Sequence, residues 1–367
     1  MRLPARGGRM NGSGTAAEAW PIEWYMASVD SELDGFLREK SSSLALEHMP
    51  YITDVLRGFL SGGKRIRPRL CFLGWEAAGG QGRIESVVSV AAALEMFHAF
   101  ALIHDDVMDE SDVRRGNPTV HRELTRFGVE HGHPQAERFG NNGAVLLGDL
   151  ALAWSDELFF RVQPDSGVWE LLTPLLSSMR TEVMVGQYLD LCGTGTLSED
   201  VEKALTVARF KTAKYTIERP LQVGAVLGGG EGEVLAACSE FAMPLGEAFQ
   251  MRDDLLGVFG ATEETGKSRL DDLRDGKSTA LTAFGLRLAA PAQRERLREL
   301  IGKPDIDDRE AAEVREILRG SGALGAVEKL IEDRYALALK VLDEAPFRER
   351  AGRLLREMAR NAIERKS

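Results

Sequence analysis

The chain has 367 residues, a formal net charge of −11 and 44% hydrophobic content, enough apolar material for a substantial core and against global disorder. Its basic residues stand singly or in short groups among acids, which excludes the basic stripe that tracks nucleic-acid phosphates. No uninterrupted apolar stretch reaches bilayer-spanning length, the best candidate being broken by Glu95 and His98, so a protein that does not span a membrane is expected.

Three cysteines, Cys71, Cys192 and Cys238, are far apart and lack CxxC spacing, so neither a disulfide framework nor a thiolate metal site is indicated, and a reducing cytoplasm fits. Residues 1–19, rich in Gly, Ala and Arg, lack the long apolar core of a signal peptide and read as a disordered leader. The remainder, 20–367, reads as one domain.

From Trp20 onward apolar residues recur at three- and four-residue spacing with little strand-like alternation, and the chain reads as all-α. The predicted helices run 22–40, 44–60, 65–78 and 84–108, then 118–128, 141–163, 168–191 and 198–218. They continue at 220–228, 232–259, 278–290, 292–302, 308–319, 322–343 and 346–364. Gly62-Gly63, Gly79-Gly80, Gly193 to Gly195, Gly228 to Gly230 and Gly320 to Gly322 each follow an apolar-periodic run, as helix stops do. No joint is long enough for an interdomain linker, which favours a single large helical bundle.

The helix predicted over 84–108 runs into Asp105-Asp106-Val107-Met108-Asp109, followed by Arg114-Arg115-Gly116. On a helix Asp105 and Asp109 share a face and Asp106 lies about 100° round. Carboxylates so placed hold hard, oxygen-seeking cations such as Mg²⁺, which share their coordination with a substrate phosphate. An isolated acidic run in an acidic protein is usually a solvated helix end. Here the apolar residues from Val87 through Ile103 shift the balance, because carboxylates carried inward cost several kcal/mol each unless a metal or cation meets them.

A second acidic segment spans Phe249 to Gly257, with Gln250, Asp253 and Asp254 at three- and four-residue spacing. Taken alone, Asp253-Asp254 is equally an N-cap or a surface pair. Lys267 in Thr-Gly-Lys and Lys277 in Asp-Gly-Lys follow it. Two facing Asp-bearing helices clamp a diphosphate between metal ions, with such lysines neutralising the remaining charge. On spacing alone His98 is a core histidine, Lys64-Arg65 a solvated helix start, and Gln187 with Asp190 an ordinary polar contact within the bundle. His104 receives no catalytic role, and His131 and His133 read as structural.

In order, Gly63-Lys64-Arg65-Ile66-Arg67-Pro68, Glu95 to His98, Asp105 to Asp109 with Arg114-Arg115-Gly116, Gly186-Gln187, Lys211-Thr212 and Phe249-Gln250 before Asp253-Asp254 make the chain resemble the trans-isoprenyl diphosphate synthases, the polyprenyl synthetase family, over residues 20 to 365. The resemblance implies a bundle of the isoprenoid synthase type with a central active-site cavity, and head-to-tail condensation of isopentenyl diphosphate with an allylic diphosphate. It implies three Mg²⁺, two on Asp105 and Asp109 and the third on Asp253, with Asp106 and Asp254 completing the acidic set. Arg114, Lys211, Lys267 and Lys277 fall to the allylic diphosphate. Lys64, Arg67, His98 and Arg115 fall to isopentenyl diphosphate, and Thr212 and Gln250 lie near the developing carbocation. A homodimer is implied as well.

Two positions depart from the family's usual pattern: Gly257 and Ala261 stand where acids are common, so a thinner second cluster and a weaker third-metal site are expected. Phe100 and Ala101, five and four residues before Asp105, resemble the cavity floor of geranylgeranyl diphosphate synthases, which makes a twenty-carbon product the first choice over farnesyl or other chain lengths. A class I terpene cyclase would not need the pocket of Lys64, Arg67, His98 and Arg115. A non-catalytic subunit should have lost one acidic cluster.

Overall fold

The computed structural model describes residues 20–43, 50–162, 165–260 and 270–364. The leader, Lys267 and Ala261 therefore lie outside the described residues. The chain folds as α1 (Ile22–Ser41), α2 (Pro50–Leu60), α3 (Ile66–Ala77), α4 (Ile84–Met108), strands β1 (Val113–Arg114) and β2 (Asn117–Pro118), α5 (Val120–Glu130), α6 (Ala136–Arg161) and α7 (Ser166–Gly193). It continues with α8 (Val201–Ala208), a π-helical segment (Arg209–Glu218), α9 (Arg219–Leu227) and α10 (Gly232–Phe259). Last come α11 (Asp271–Arg274), α12 (Ala280–Leu288), α13 (Pro291–Leu300), α14 (Asp308–Gly320), α15 (Ala323–Glu344) and α16 (Glu349–Ile363).

Helix α4 is the axis of the larger core because its sequence offers no polar stripe before its last turn, and a helix that is apolar all round must be buried all round. Leu94, Met96, Phe97 and Ile103 are fully buried, each contributing about 2 kcal/mol of apolar transfer. Helices α1, α3 and α6 pack around it. By length and composition α4 would cross a bilayer despite Glu95 and His98, yet 72% of its apolar window is buried inside the bundle, as in a core helix. A second core of Leu281, Leu286, Leu297, Val314, Leu318 and Ile331 joins α12 to α15 against α10. The three cysteines are free, Cys71 and Cys238 buried and Cys192 exposed.

Three local features depart from the all-helical expectation. The predicted helix 198–218 changes hydrogen-bonding pattern at Arg209 and runs as a π-helix to Glu218, a register invisible to a 3.6-residue periodicity. A two-residue hairpin forms after α4, with Val113 opposite Pro118 and Arg114 opposite Asn117. Its central residues, Arg115 (φ 53°) and Gly116 (φ 77°), are both left-handed, as a type I′ turn demands. The short α11 was not predicted. Where the sequence suggested a helix from 278, the Thr279 hydroxyl instead accepts from the Thr282 amide in a capping box, starting α12 at Ala280.

Candidate active site

A cavity of about 1030 Å³ lies between α4, α7, α8, the π-helical segment and α10, with Asp272 and Lys277 to Thr279 also lining it. It brings Asp105 together with Asp253 and Asp254, 148 and 149 residues further along the chain, and with Lys211, Gln250 and Lys277. Lys64, Arg67, His98, Arg114 and Arg115 also line it, and so do Thr212, Phe100 and Ala101.

The first acidic pole sits at the C-terminal end of α4, where the helix dipole is itself negative and three carboxylates repel one another. Cations from three other elements offset this. Lys211 Nζ lies 2.9 Å from Asp105 Oδ1 and 2.5 Å from Asp190 Oδ2, and Lys277 Nζ donates to Asp109 Oδ2 at 2.9 Å. Burial raises the Asp105 carboxyl, but Lys211, Arg114 and Lys277 outweigh it and hold the group well below the ordinary carboxylate range. Burial likewise opposes charge on Lys211 and Lys277, yet the facing carboxylates leave both lysines raised and protonated. Helix α7 reaches this pole only because Gly186 has no side chain: a Cβ there would stand 2.3 Å from the Lys211 amide nitrogen.

Asp106 is placed differently from Asp105. It is fully buried, and Arg114 Nε donates to its Oδ1 and Oδ2 at 2.7 and 2.8 Å. With both oxygens engaged by Arg114 and its side chain outside the cavity lining, Asp106 forms a buried ion pair here, and Asp109, held by Lys277, also lies outside that lining. The physical reason for the placing of Asp106 is the 100° rotation that separates it from Asp105 on α4. Arg114 reaches Asp105 Oδ2 as well, at 3.2 Å, so it bridges the structural and the cavity-facing acid.

The second pole lies on α10. Thr212 Oγ1 donates to Gln250 Oε1 at 2.6 Å, and Gln250 Nε2 donates to Asp254 Oδ1 at 2.8 Å. This chain ties the π-helical segment to the acids. Asp254 is pushed up to about 7, chiefly by burial and then by Asp272 and Asp253. Asp272, which sequence reasoning did not select, also lines the cavity.

The same cavity is also lined by a group of cations. The Arg67 guanidinium is buried, donates to Thr216 Oγ1 at 2.6 Å and lies 4.2 Å from the centroid of the Tyr215 ring. The hairpin turn aims Arg115 at Gly63, where a Cβ would come within 2.8 Å of its Nη1. Arg65, in the left-handed region at φ 48°, pairs with the buried Glu95 at 2.8 Å and with Asp30. It is therefore engaged in structure, while its neighbour Lys64 faces the cavity. Burial, with Arg67, Arg115, Arg114 and Arg65 around it, holds His98 well below its ordinary value, so its imidazole is neutral.

Asp190, Tyr215 and Thr216 were missed as site residues. Asp190 carried only the weak signal of standing three residues after Gln187, and Tyr215 and Thr216 carried none beyond following Lys211-Thr212. His131 stacks on Phe127 with ring centroids 3.9 Å apart at the end of α5, consistent with a structural role.

Among the described residues no three carboxylates, histidines or cysteines converge into a ready-made cage. The donors that face the cavity are carboxylate oxygens in two separate groups, Asp105 held ionised by flanking cations and Asp254 raised by burial. That set fits hard cations whose coordination is completed by a ligand's phosphates.

A helical bundle whose cavity holds both split carboxylates and a cluster of arginines is the site of an enzyme that handles polyanions through cations. The sequence pattern of polyprenyl synthetases matches residues 49–318. A short chain isoprenyl diphosphate synthase of Methanothermobacter thermautotrophicus is 33% identical over 86% of this chain and 91% of its own length. A geranylfarnesyl diphosphate synthase of Aeropyrum pernix is 32% identical over 78% of this chain and 85% of its own. The crystal structure of geranylgeranyl pyrophosphate synthase from Corynebacterium glutamicum, complexed with isoprenyl diphosphate and magnesium, superposes with a TM-score of 0.89 at 36% identity, covering 95% of this chain and all of the other. The chain belongs to the polyprenyl synthetase family and is a prenyltransferase of the isoprenoid synthase fold.

Proposed function

We propose that this enzyme condenses isopentenyl diphosphate with allylic diphosphates and releases geranylgeranyl diphosphate. The observation that carries the reading is a single cavity lined both by acids with Lys211 and Lys277 and by Arg67, His98 and Arg115. Asp105 and Asp109 at the first pole and Asp253 at the second would hold three Mg²⁺. When bound, these ions neutralise the charge that builds on the departing diphosphate. Lys211, Lys277 and Arg114 add fixed positive charge toward the same group. Arg67 and Arg115 present planar forks suited to paired hydrogen bonds with the second diphosphate. The Thr212–Gln250 pair borders the cavity and offers oxygen dipoles to a developing carbocation. The buried walls on α4 and α10 keep water from that cation.

The twenty-carbon product is supported by Phe100, which is buried at the cavity wall with its ring centroid 5.3 Å from that of Phe97 and 5.0 Å from that of His104. A growing chain meets packed aromatic rings there and stops. A homodimer is supported by large apolar residues exposed on α6, where Leu146 is 65% and Phe160 74% exposed and neither lines the cavity. The free cysteines suit a cytoplasmic location.

The deciding experiment incubates purified protein with Mg²⁺, isopentenyl diphosphate and five-, ten- or fifteen-carbon allylic primers, with products sized by mass spectrometry. Extension to twenty carbons is expected. Consumption of the allylic diphosphate without isopentenyl diphosphate would instead indicate a terpene cyclase, and no turnover with any primer would indicate a non-catalytic subunit.

A further inference from the structure

We propose that Tyr215 is a positioning residue that fixes the tautomer of His98, so that the imidazole presents its Nε2–H to the second diphosphate. The proposal rests on the reading that His98 borders the isopentenyl diphosphate site.

Tyr215 lies in the π-helical segment, is 6% exposed, and places its hydroxyl 3.2 Å from His98 Nδ1. That contact is the only hydrogen bond of either side chain among the described residues. A phenol carries one proton and a neutral imidazole carries one. If that ring proton sat on Nδ1, the hydroxyl would have no protein acceptor among the described residues and would be left to the cavity that Tyr215 also lines. With the proton on Nε2, the hydroxyl donates to Nδ1 and both groups are satisfied. The imidazolium, which would blur this choice, is disfavoured by burial and by the arginines at 67, 115, 114 and 65.

The consequence reaches the ligand. His98 borders the cavity, so the nitrogen that does not face Tyr215 is the one available to a bound molecule. Diphosphate oxygens only accept. An Nε2–H donates to them, whereas a bare Nε2 lone pair would repel them. Tyr215 does a second job through its ring, whose face lies under the Arg67 guanidinium at 4.2 Å. Tyr215→Phe keeps that face and removes only the hydroxyl, which isolates the tautomer effect.

Full-length protein labelled with ¹⁵N at histidine, without substrate, should show His98 with Nε2 protonated and Nδ1 bare, the resonance being assigned by its loss in His98→Gln. A protonated Nδ1 overturns the proposal. In Tyr215→Phe the KM for isopentenyl diphosphate should rise about fivefold, the equivalent of one hydrogen bond, with the allylic KM and kcat moved less than about twofold. A glutamine at 98 carries a fixed amide donor and needs no tautomer. Adding Tyr215→Phe to His98→Gln should therefore raise that KM no further, and an equal rise in both backgrounds overturns the proposal by placing the action of Tyr215 elsewhere. If His98→Ala leaves the KM for isopentenyl diphosphate unmoved, the site reading fails, while the spectrum still reports the tautomer; the two failures are thereby distinguished.

Discussion

The carboxylate of Asp272 occupies the space that a side chain on Gly257 would fill: an ideal Cβ at Gly257 would stand 1.7 Å from Asp272 Oδ2 and 2.8 Å from its Cγ. Gly257 is the position where the family commonly carries a further acid, and its loss suggested a thinner second cluster. The structure instead returns a carboxylate to that place from α11, fifteen residues on in the chain.

This exchange makes Gly257→Ala a harsher change than its size suggests. The new methyl displaces Asp272 from beside Asp254, and kcat is expected to fall by about tenfold, with a higher Mg²⁺ requirement, as for losses around a metal site. Asp272→Asn should move the same quantities in the same direction. Initial rates across a Mg²⁺ titration check both, and a Gly257→Ala enzyme with an unchanged Mg²⁺ profile would show that Asp272 has no part in this pole.

The helical bundle was legible because α4, α7 and α10 carry long apolar periods whose burial is decided by composition alone. The acidic motifs and the arginine pair were legible because charge next to such periods is costly unless it is used. What stayed hidden depended on rotation and register. Asp106 differs from Asp105 by a single helical step, and only the fold shows which of the two Arg114 takes out of the cavity. Tyr215 and Thr216 reach Arg67 across 148 and 149 residues of sequence, and no local pattern marks a π-helical register. Asp272 was hidden by distance along the chain.

The division between Asp105 and Asp106 is separable by experiment. Asp106→Ala removes the bidentate partner of the Arg114 guanidinium, leaving it the longer contact to Asp105, and should cost about 1–3 kcal/mol of stability. Asp253→Ala should fold normally while losing turnover by orders of magnitude, about 10³-fold, as removal of a charge-stabilising group does; Asp105→Ala should lose turnover as much and also forfeit its pairs with Lys211 and Arg114. Urea unfolding beside single-turnover rates distinguishes the two classes. A fully stable Asp106→Ala protein would assign Asp106 to the metal set.

Asp254 imposes a pH dependence of known sign. Burial and the neighbouring Asp272 and Asp253 raise its carboxyl to about 7, above the unfolded value of about 4, so the native state holds this proton more tightly than the unfolded chain. The associated stability is fully present below about pH 4 and is lost as pH rises through about 7. Asp254→Asn has no carboxyl to ionise. Measured without Mg²⁺, the unfolding free energy of the native protein relative to Asp254→Asn should fall by on the order of 3 kcal/mol between pH 5 and 8. A difference that stays flat over that range would place Asp254 in a solvated environment. Mg²⁺ with inorganic diphosphate binds the ionised carboxylate and should shrink the fall.

Phe100 sets the last expectation, that of product length. Its ring is buried between those of Phe97 and His104 on the same helix, at centroid distances of 5.3 and 5.0 Å, and its edge forms part of the cavity wall one turn before Asp105. Because packed interiors do not yield to an advancing chain, the volume of this side chain limits how many five-carbon units fit beneath the first acidic pole. Phe100→Ala opens that wall at a cost of about 3–5 kcal/mol in stability, which a large helical core tolerates, and should shift the product from twenty carbons to twenty-five or more. Mass spectrometry of the released diphosphates, with each primer in turn, reads the shift directly. If the profile keeps its twenty-carbon maximum in a folded Phe100→Ala enzyme, the barrier lies deeper, at side chains such as Leu152 on α6 and Val183 on α7 that line the same cavity.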